Sequence, residues 1–125
     1  MGKVLGIGGV FFKAADPAAV NDWYRRVLGF ETGDWGVVFP LPATGYQVWS
    51  PFKADTEYFD PSPHAVMVNL RVDDLDAVLA QAAAAGVEPL GRDDSDPSGR
   101  FAWLVDPVGV KLELWEPKPD ATPLT

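Results

Sequence analysis

Few side chains in this sequence are of the types that act through thiols or imidazoles. The 125 residues include no cysteine and one histidine, His64. The lack of cysteine excludes disulfides, thiolate metal sites and cysteine nucleophiles. Because histidine side chains titrate near neutral pH, His64 could act as a general base. No nucleophile-elbow sequence accompanies it, so a serine triad has no support in the sequence.

Two segments contain residues that bind phosphate or calcium in other proteins. Gly6, Gly8 and Gly9 precede the first predicted helix by too many residues to form a dinucleotide-binding turn. The acidic segment 92–98 lacks the spacing and the terminal glutamate of a calcium loop. We therefore interpret the glycines as points of close backbone approach and the acidic segment as a solvated loop.

One six-residue motif occurs twice. Residues 46–51 recur as residues 112–117, with the apolar, Trp and Pro positions in register. Gln47 therefore stands at the position that Glu113 occupies in the second copy. A repeat of this length, present only twice, is not a solenoid and predicts two supersecondary units that share one core.

The first predicted unit spans about residues 4–50. Asp16 is expected to cap a helix over residues 17–28, and Gly29 is expected to end it. A connector at residues 51–63, rich in proline and aspartate, follows the unit. Runs rich in β-branched and aromatic residues predict three strands in this unit, at residues 4–12, 37–41 and 45–49.

The second predicted unit spans about residues 64–117. Asp74 is expected to cap a helix over residues 75–85, which would end at Gly86. A turn at residues 106–109 would join the last two strands. Alternating apolar residues predict four strands, at residues 65–72, 87–90, 100–105 and 110–115. The order of elements is therefore βαβββ.

Length and composition limit the classes of protein to consider. With 47% hydrophobic residues, the chain fits one compact domain over residues 1–125. A net charge of −8 argues against binding to nucleic acid or to anionic membrane surfaces. No apolar run is long enough to span a membrane, and no secretion signal is evident. We therefore expect a soluble cytoplasmic protein.

Three sequence segments, together with the repeated βαβββ order, resemble the vicinal-oxygen-chelate superfamily. They are Trp-Tyr-Arg-Arg-Val-Leu-Gly-Phe at 23–30, Val-Asp-Asp-Leu-Asp-Ala at 72–77 and Asp-Pro-Val-Gly-Val-Lys-Leu-Glu-Leu at 106–114. This superfamily includes glyoxalase I, extradiol dioxygenases, fosfomycin resistance enzymes and bleomycin resistance proteins. The resemblance extends over residues 4–117 and indicates fold better than it indicates reaction.

The resemblance implies an α+β fold. Two βαβββ modules would form a curved, mostly antiparallel, cup-shaped sheet with the helices outside. It also implies a homodimer, since members are commonly dimeric. If Leu112 and Leu114 pack under a helix, strand alternation places Glu113 in the cup. The same parity, with Trp103 added, gives the predicted ligand-binding residues Phe11, Lys13, Gln47, Trp49, Met67, Asn69, Arg71, Trp103, Lys111 and Trp115.

The metal ligands of the superfamily correspond here to Gly9, Gln47, Met67 and Glu113. Only Glu113 is a good ligand, because glycine has no side chain and a thioether suits these metals poorly. His64 lies three residues before the position of Met67, and a register shift that moved it there would expose the apolar face of the strand. We therefore predict no cofactor. The alternative is a divalent metal held by Glu113, Gln47 and a displaced His64.

Two functions remain open from the sequence. The first is a small-molecule binding protein of the glyoxalase and bleomycin-resistance type, with its metal site degenerate. Its ligand would be anionic or carbonyl-rich because Lys13, Arg71 and Lys111 would face the cup. The second is a lyase, isomerase or dioxygenase in which Glu113 binds an atypical metal or acts as a metal-free general base.

Two structural alternatives also remain open. Glu113 could serve only to pair with one of the three cations that face the cup. The loop aromatics Trp35, Tyr58 and Phe59 could cover the pocket or form a subunit contact.

Overall fold

A computed structural model describes residues 2–119. The described elements are α1 Pro17–Leu28, β1 Met67–Arg71, α2 Leu75–Ala84, β2 Gly91–Asp96, β3 Gly99–Val105 and β4 Lys111–Pro117. The sheet order is β1-β4-β3-β2, with β4 parallel to β1 and antiparallel to β3, while β2 and β3 are antiparallel. The result is one open, curved, mixed sheet with two helices, which confirms the predicted α+β class.

Both helices begin where the capping residues predicted. The Asp16 side chain accepts a hydrogen bond from the backbone N–H of Ala19, and Asp74 does the same for Ala77, each at 3.1 Å. These bonds satisfy N–H groups that have no partner within the helix. Helix α1 ends at Gly29, whose φ of 70° is the left-handed conformation that glycine adopts without strain.

The hydrophobic core lies between the helices and one face of the sheet. Leu112 and Leu114 of β4 are fully buried, as the alternation of that strand predicted. They pack with apolar side chains from β3 and from both helices, namely Val20, Tyr24, Val27, Leu75, Ala82, Ala102 and Leu104. Since alternate side chains point to opposite faces, this packing places Glu113 on the other face of the sheet.

The turn before β4 is fixed to α1 by a buried polar contact. The hydroxyl of Tyr24 donates to Asp106 Oδ2 at 2.6 Å. Asp106 Oδ1 accepts from the backbone N–H groups of Val108 and Val110. Burial, as the larger cause, and the hydrogen bond to Asp106, as the smaller one, raise the pKa of Tyr24 above its usual value. The neutral phenol therefore acts as a permanent donor that holds the turn in place.

The first unit differs from the prediction. Its helix is present, but residues 4–12, 37–41 and 45–49 belong to no strand in the part of the chain that the structure describes. Many of their large apolar side chains are exposed, with Val4 91% and Phe11 94% accessible. Composition gives only a propensity to extend, whereas a strand also requires a hydrogen-bonded neighbour.

The acidic segment was also predicted wrongly. Instead of a loop over 92–98 after a strand at 87–90, strand β2 runs from Gly91 to Asp96 and pairs with β3. Two strands pair through hydrogen bonds between backbone atoms, so acidic side chains do not prevent pairing. Cations nearby reduce the repulsion between these side chains. Arg92 and Arg100 supply that charge through ion pairs with Asp76 and Asp94.

Candidate functional site

Glu113 lies at the centre of the sheet face that is turned away from the helices. Strand pairing sets Glu113 directly beside Asn69 of β1 and beside Trp103 of β3. Met67, which the superfamily pattern places at the metal position, pairs with Lys111 instead. The register therefore makes Asn69, rather than Met67, the neighbour of the carboxylate.

Three neutral groups donate hydrogen bonds to the Glu113 carboxylate. Asn69 Nδ2 donates to Oε1 at 2.8 Å, while the Tyr58 hydroxyl and Trp103 Nε1 donate to Oε2 at 2.5 and 2.9 Å. Only 8% of Glu113 is exposed to solvent. A buried carboxylate without such donors would be costly, so these three contacts make its burial tolerable.

No cation compensates this charge directly. Among residues 2–119, the ion pairs lie elsewhere and none includes Glu113. Lys111 donates instead to the backbone carbonyl of Tyr58 at 2.6 Å, and Arg71 donates to that of Thr44 at 3.2 Å. The alternative in which Glu113 pairs with Lys111, Arg71 or Lys13 is therefore not what the structure shows, since neutral groups donate to the carboxylate instead.

Tyr58 covers the carboxylate from the connector. Its ring stands edge-on to Trp103, with centroids 6.3 Å apart, and the Lys111 ammonium lies 5.1 Å from its centroid. Burial, as the larger cause, and the hydrogen bond to Glu113, as the smaller one, raise the pKa of Tyr58 above its ordinary value. The phenol is therefore neutral at physiological pH and remains a donor. Of the two roles left open for the loop aromatics, this position corresponds to covering the site for Tyr58 alone.

A row of parallel aromatic rings crosses the same sheet face. Phe101 stacks at an interplanar angle of 11° with both Trp103 and Trp115, each 6.4 Å away. Tyr46 lies against Trp115 at 5.4 Å. Phe101 and Tyr46 were missing from the predicted site. Phe101 could have been found by parity, because it is two residues before Trp103 on the same strand.

Other predicted site residues lie apart from Glu113. Gln47 Oε1 accepts from the backbone N–H of Ile7 at 2.9 Å. Gln47 and Trp49 line a groove of about 170 Å³ with residues of the first unit, Val4, Gly6, Ile7 and Val48. Phe11 and Lys13 are exposed. The two copies of the repeated motif therefore meet through Tyr46 and Trp115, while Gln47 hydrogen bonds to Ile7 rather than to Glu113. The ligand-binding role of these residues stays a prediction.

The side chains around Glu113 do not fit a metal ion. Both carboxylate oxygens already accept hydrogen bonds, and the surrounding atoms are N–H and O–H donors rather than ligands. His64 Nε2 hydrogen bonds to the carbonyl of Val108 at 2.7 Å, at the turn before β4. Within residues 2–119, no group of three or more His, Cys, Asp or Glu is arranged to hold a metal ion.

A family model described as "Glyoxalase-like domain" matches residues 9–115. The chain therefore belongs to this family, within the vicinal-oxygen-chelate superfamily, as the sequence segments suggested. No functionally curated protein shows significant sequence similarity to the chain.

Solved structures show the same fold. TioX from Micromonospora sp. ML1 is 22% identical, with 90% of this chain and 94% of that chain aligned at a TM-score of 0.51. A structure described as "conserved domain protein" is 13% identical, with 84% of this chain and 92% of that chain aligned at a TM-score of 0.51. A glyoxalase / bleomycin resistance protein from Catenulispora acidiphila DSM 44928 is 23% identical, with 82% of this chain and 90% of that chain aligned at a TM-score of 0.46. At these identities the first two relationships concern the fold alone.

None of the helices described between residues 2 and 119 is long and apolar enough to cross a membrane.

Proposed function

We propose that this protein binds a small planar organic molecule on the sheet face that carries Glu113. The observation that supports this most directly is the parallel row of Trp103, Phe101 and Trp115 beside a buried carboxylate. Flat rings stack on aromatic surfaces of this kind, and one well-placed polar group fixes their orientation. Membership of the glyoxalase-like family supports the proposal at the level of the fold.

Binding without conversion is the simpler function for this arrangement. A general base must have a free lone pair within reach of the substrate proton. Tyr58, Asn69 and Trp103 occupy three of the roughly four lone-pair sites of the Glu113 carboxylate, two on Oε2 and one on Oε1. A lyase, isomerase or dioxygenase reaction through Oε2 would first require one of its two donors to leave. Tyr58 is the candidate donor, because it comes from the connector and not from the sheet.

The function can be tested by tryptophan fluorescence with a library of planar aromatic compounds. A bound compound should quench the tryptophans and be recovered chemically unchanged, as judged by mass spectrometry. Phe101→Ala removes the central ring without touching Glu113, and we expect it to weaken binding by about tenfold. Phe12→Ala, at an exposed ring outside the row, is the matched control.

The results separate the two functions. Equal affinity in both variants would contradict binding on this face. A converted product, lost in Glu113→Gln, would establish an enzyme, and a stoichiometric metal lost in the same variant would establish metal dependence.

We also propose that the protein is a homodimer. Support comes from the first unit, where large apolar side chains such as Trp35 (75% exposed) and Trp49 (89% exposed) face solvent. Extended apolar surface of this kind is typical of association sites. Sedimentation equilibrium should give twice the 13.5 kDa chain mass, and a monomer at micromolar concentration would contradict the proposal. The cytoplasmic location expected from the sequence stays a prediction.

A further inference from the structure

The Tyr58 side chain occupies the space beside Glu113. We propose that this space is a binding site for the hydroxyaryl group of the ligand, and that Tyr58 is an internal occupant which the ligand displaces. The inference rests on the proposed function and names its ligand class, a phenol or a related ring with a hydroxyl donor. The site combines a hydrogen-bond acceptor, an aromatic edge and a cation over the ring.

The contacts of Tyr58 are those that a free phenol would make. Its hydroxyl donates to Glu113 Oε2, and the edge of Trp103 meets its ring at an interplanar angle of 82°. The Lys111 ammonium lies on its face. These contacts involve only the hydroxyl and the ring, while the backbone of Tyr58 is held separately by Lys111. An external phenol could therefore make all three ring contacts without the tyrosine backbone.

Tyr58 is placed so that it can be exchanged. It lies in the connector, which forms turns rather than a strand or helix, and 40% of the residue is exposed. The end of the connector is anchored independently, through Ser62 to the carbonyl of Gly109 and through His64 to that of Val108. Moving Tyr58 would give up its ring contacts with Phe52 and Trp103, of which an incoming phenol would restore the one with Trp103, and it would leave the anchors in place.

The chemistry of Glu113 determines what replaces Tyr58. When the Tyr58 hydroxyl moves away, Glu113 Oε2 loses one of its hydrogen-bond donors. A mostly buried carboxylate oxygen in this state favours any partner that restores the bond. A phenol does so, whereas an unsubstituted ring or an aryl carboxylate does not. Of the three cations that led the sequence to predict an anionic ligand, Arg71 and Lys111 donate to backbone carbonyls, and Lys13 is exposed. The structure therefore favours a hydroxyl donor over an anion.

The experiment uses Tyr58→Ala, which removes the internal occupant, and p-cresol, which has the same phenol ring and methylene carbon position as the missing side chain. Binding is measured by calorimetry and by tryptophan fluorescence, with p-xylene as the ring that has no hydroxyl. We expect the variant to bind p-cresol at least tenfold more tightly than p-xylene, and at least tenfold more tightly than wild type does. Adding Glu113→Gln to Tyr58→Ala should lower the preference for p-cresol.

Tyr46→Ala is the matched control, because Tyr46 also lies on the aromatic row but does not contact Glu113. It should show no preference for p-cresol. If Tyr58→Ala is unfolded by circular dichroism, Tyr58→Phe replaces it, and p-cresol should then bind it more tightly than wild type.

Equal binding of p-cresol and p-xylene, or none of either, in the folded variant overturns the inference. The planar-compound test on wild type is separate. If planar compounds bind wild type through Phe101 while this discrimination fails, only the hydroxyaryl class is wrong.

Discussion

The Tyr58 hydroxyl donates to the Glu113 carboxylate across 55 residues of sequence. The bond joins the connector to the central strand of the sheet and occupies the one carboxylate that the superfamily pattern assigns to metal binding. Together with the bonds from Asn69 and Trp103, it leaves Glu113 buried with both carboxylate oxygens hydrogen bonded. The Glu113 carboxylate thus joins two parts of the chain in one polar cluster.

Replacing Glu113 should destabilise the protein in proportion to the donors left without an acceptor. Glu113→Ala leaves the half-buried indole N–H of Trp103 and the more exposed donors of Tyr58 and Asn69 without their acceptor, so we expect the free energy of unfolding to fall by about 1–3 kcal/mol. Glu113→Gln keeps the shape and one acceptor oxygen and should cost less. Urea unfolding measures both. Glu88→Ala, at an exposed glutamate, is the control and should have almost no effect. Similar losses at positions 88 and 113 would contradict the geometry.

Tyr24→Phe tests the contact that fixes the turn before β4. The substitution removes the hydroxyl that donates to buried Asp106 and leaves one carboxylate oxygen without its partner. We expect the free energy of unfolding to fall by about 1.5–3 kcal/mol. Tyr46→Phe is the matched control, because the Tyr46 hydroxyl forms no hydrogen bond among the described residues. Thermal and urea unfolding should agree. An equal effect of the two substitutions would show that the Tyr24 hydroxyl contributes nothing specific.

The second unit could largely be predicted from the sequence. Its strand alternation identified Leu112 and Leu114 as core residues, and the same parity placed Glu113 and Asn69 on the opposite face. These predictions succeeded because side-chain direction in a paired strand follows a fixed period of two residues. Local capping rules likewise placed both helix starts.

The rest depended on long-range contacts that no local pattern encodes. The connector has turns but no periodicity, so the sequence left open whether Tyr58 covers the pocket or forms a subunit contact and did not predict its bond to Glu113. Strand β2 escaped prediction because backbone pairing with β3, and not side-chain hydrophobicity, holds its acidic residues. The three first-unit strands failed for the converse reason, since apolar composition alone does not supply a pairing partner.

Tyrosine ionisation should report the contact between Tyr58 and Glu113. Because the folded state raises the pKa of Tyr58, the contact stabilises the protein fully below the unfolded tyrosine value of about 10. That stability is lost as pH rises through the folded pKa. We expect Tyr58→Phe to be less stable than wild type at pH 8, and this difference to shrink at strongly alkaline pH. Urea unfolding across this range measures it. A difference independent of pH would show that the hydroxyl proton is not the cause.

A surface ion-pair network should give the opposite pH dependence. Hydrogen bonds from Arg100 and then Arg92 lower the pKa of Asp76 below 3.8. A lowered folded pKa means that the contribution of Asp76 is present above pH 3.8 and is lost as pH falls through the folded value. Asp76→Asn should therefore be less stable than wild type at pH 7, with the difference vanishing in strong acid.

Salt provides the second control for Asp76, because its side chain is 65% exposed and its charge is screened. In 1 M NaCl the difference between Asp76→Asn and wild type at pH 7 should shrink. The matched substitution Asp55→Asn, at an exposed aspartate outside the described ion pairs, should change stability little under either condition. An effect of Asp76→Asn that persists unchanged at pH 2 and in high salt would mean that packing around α2, and not charge, explains its contribution.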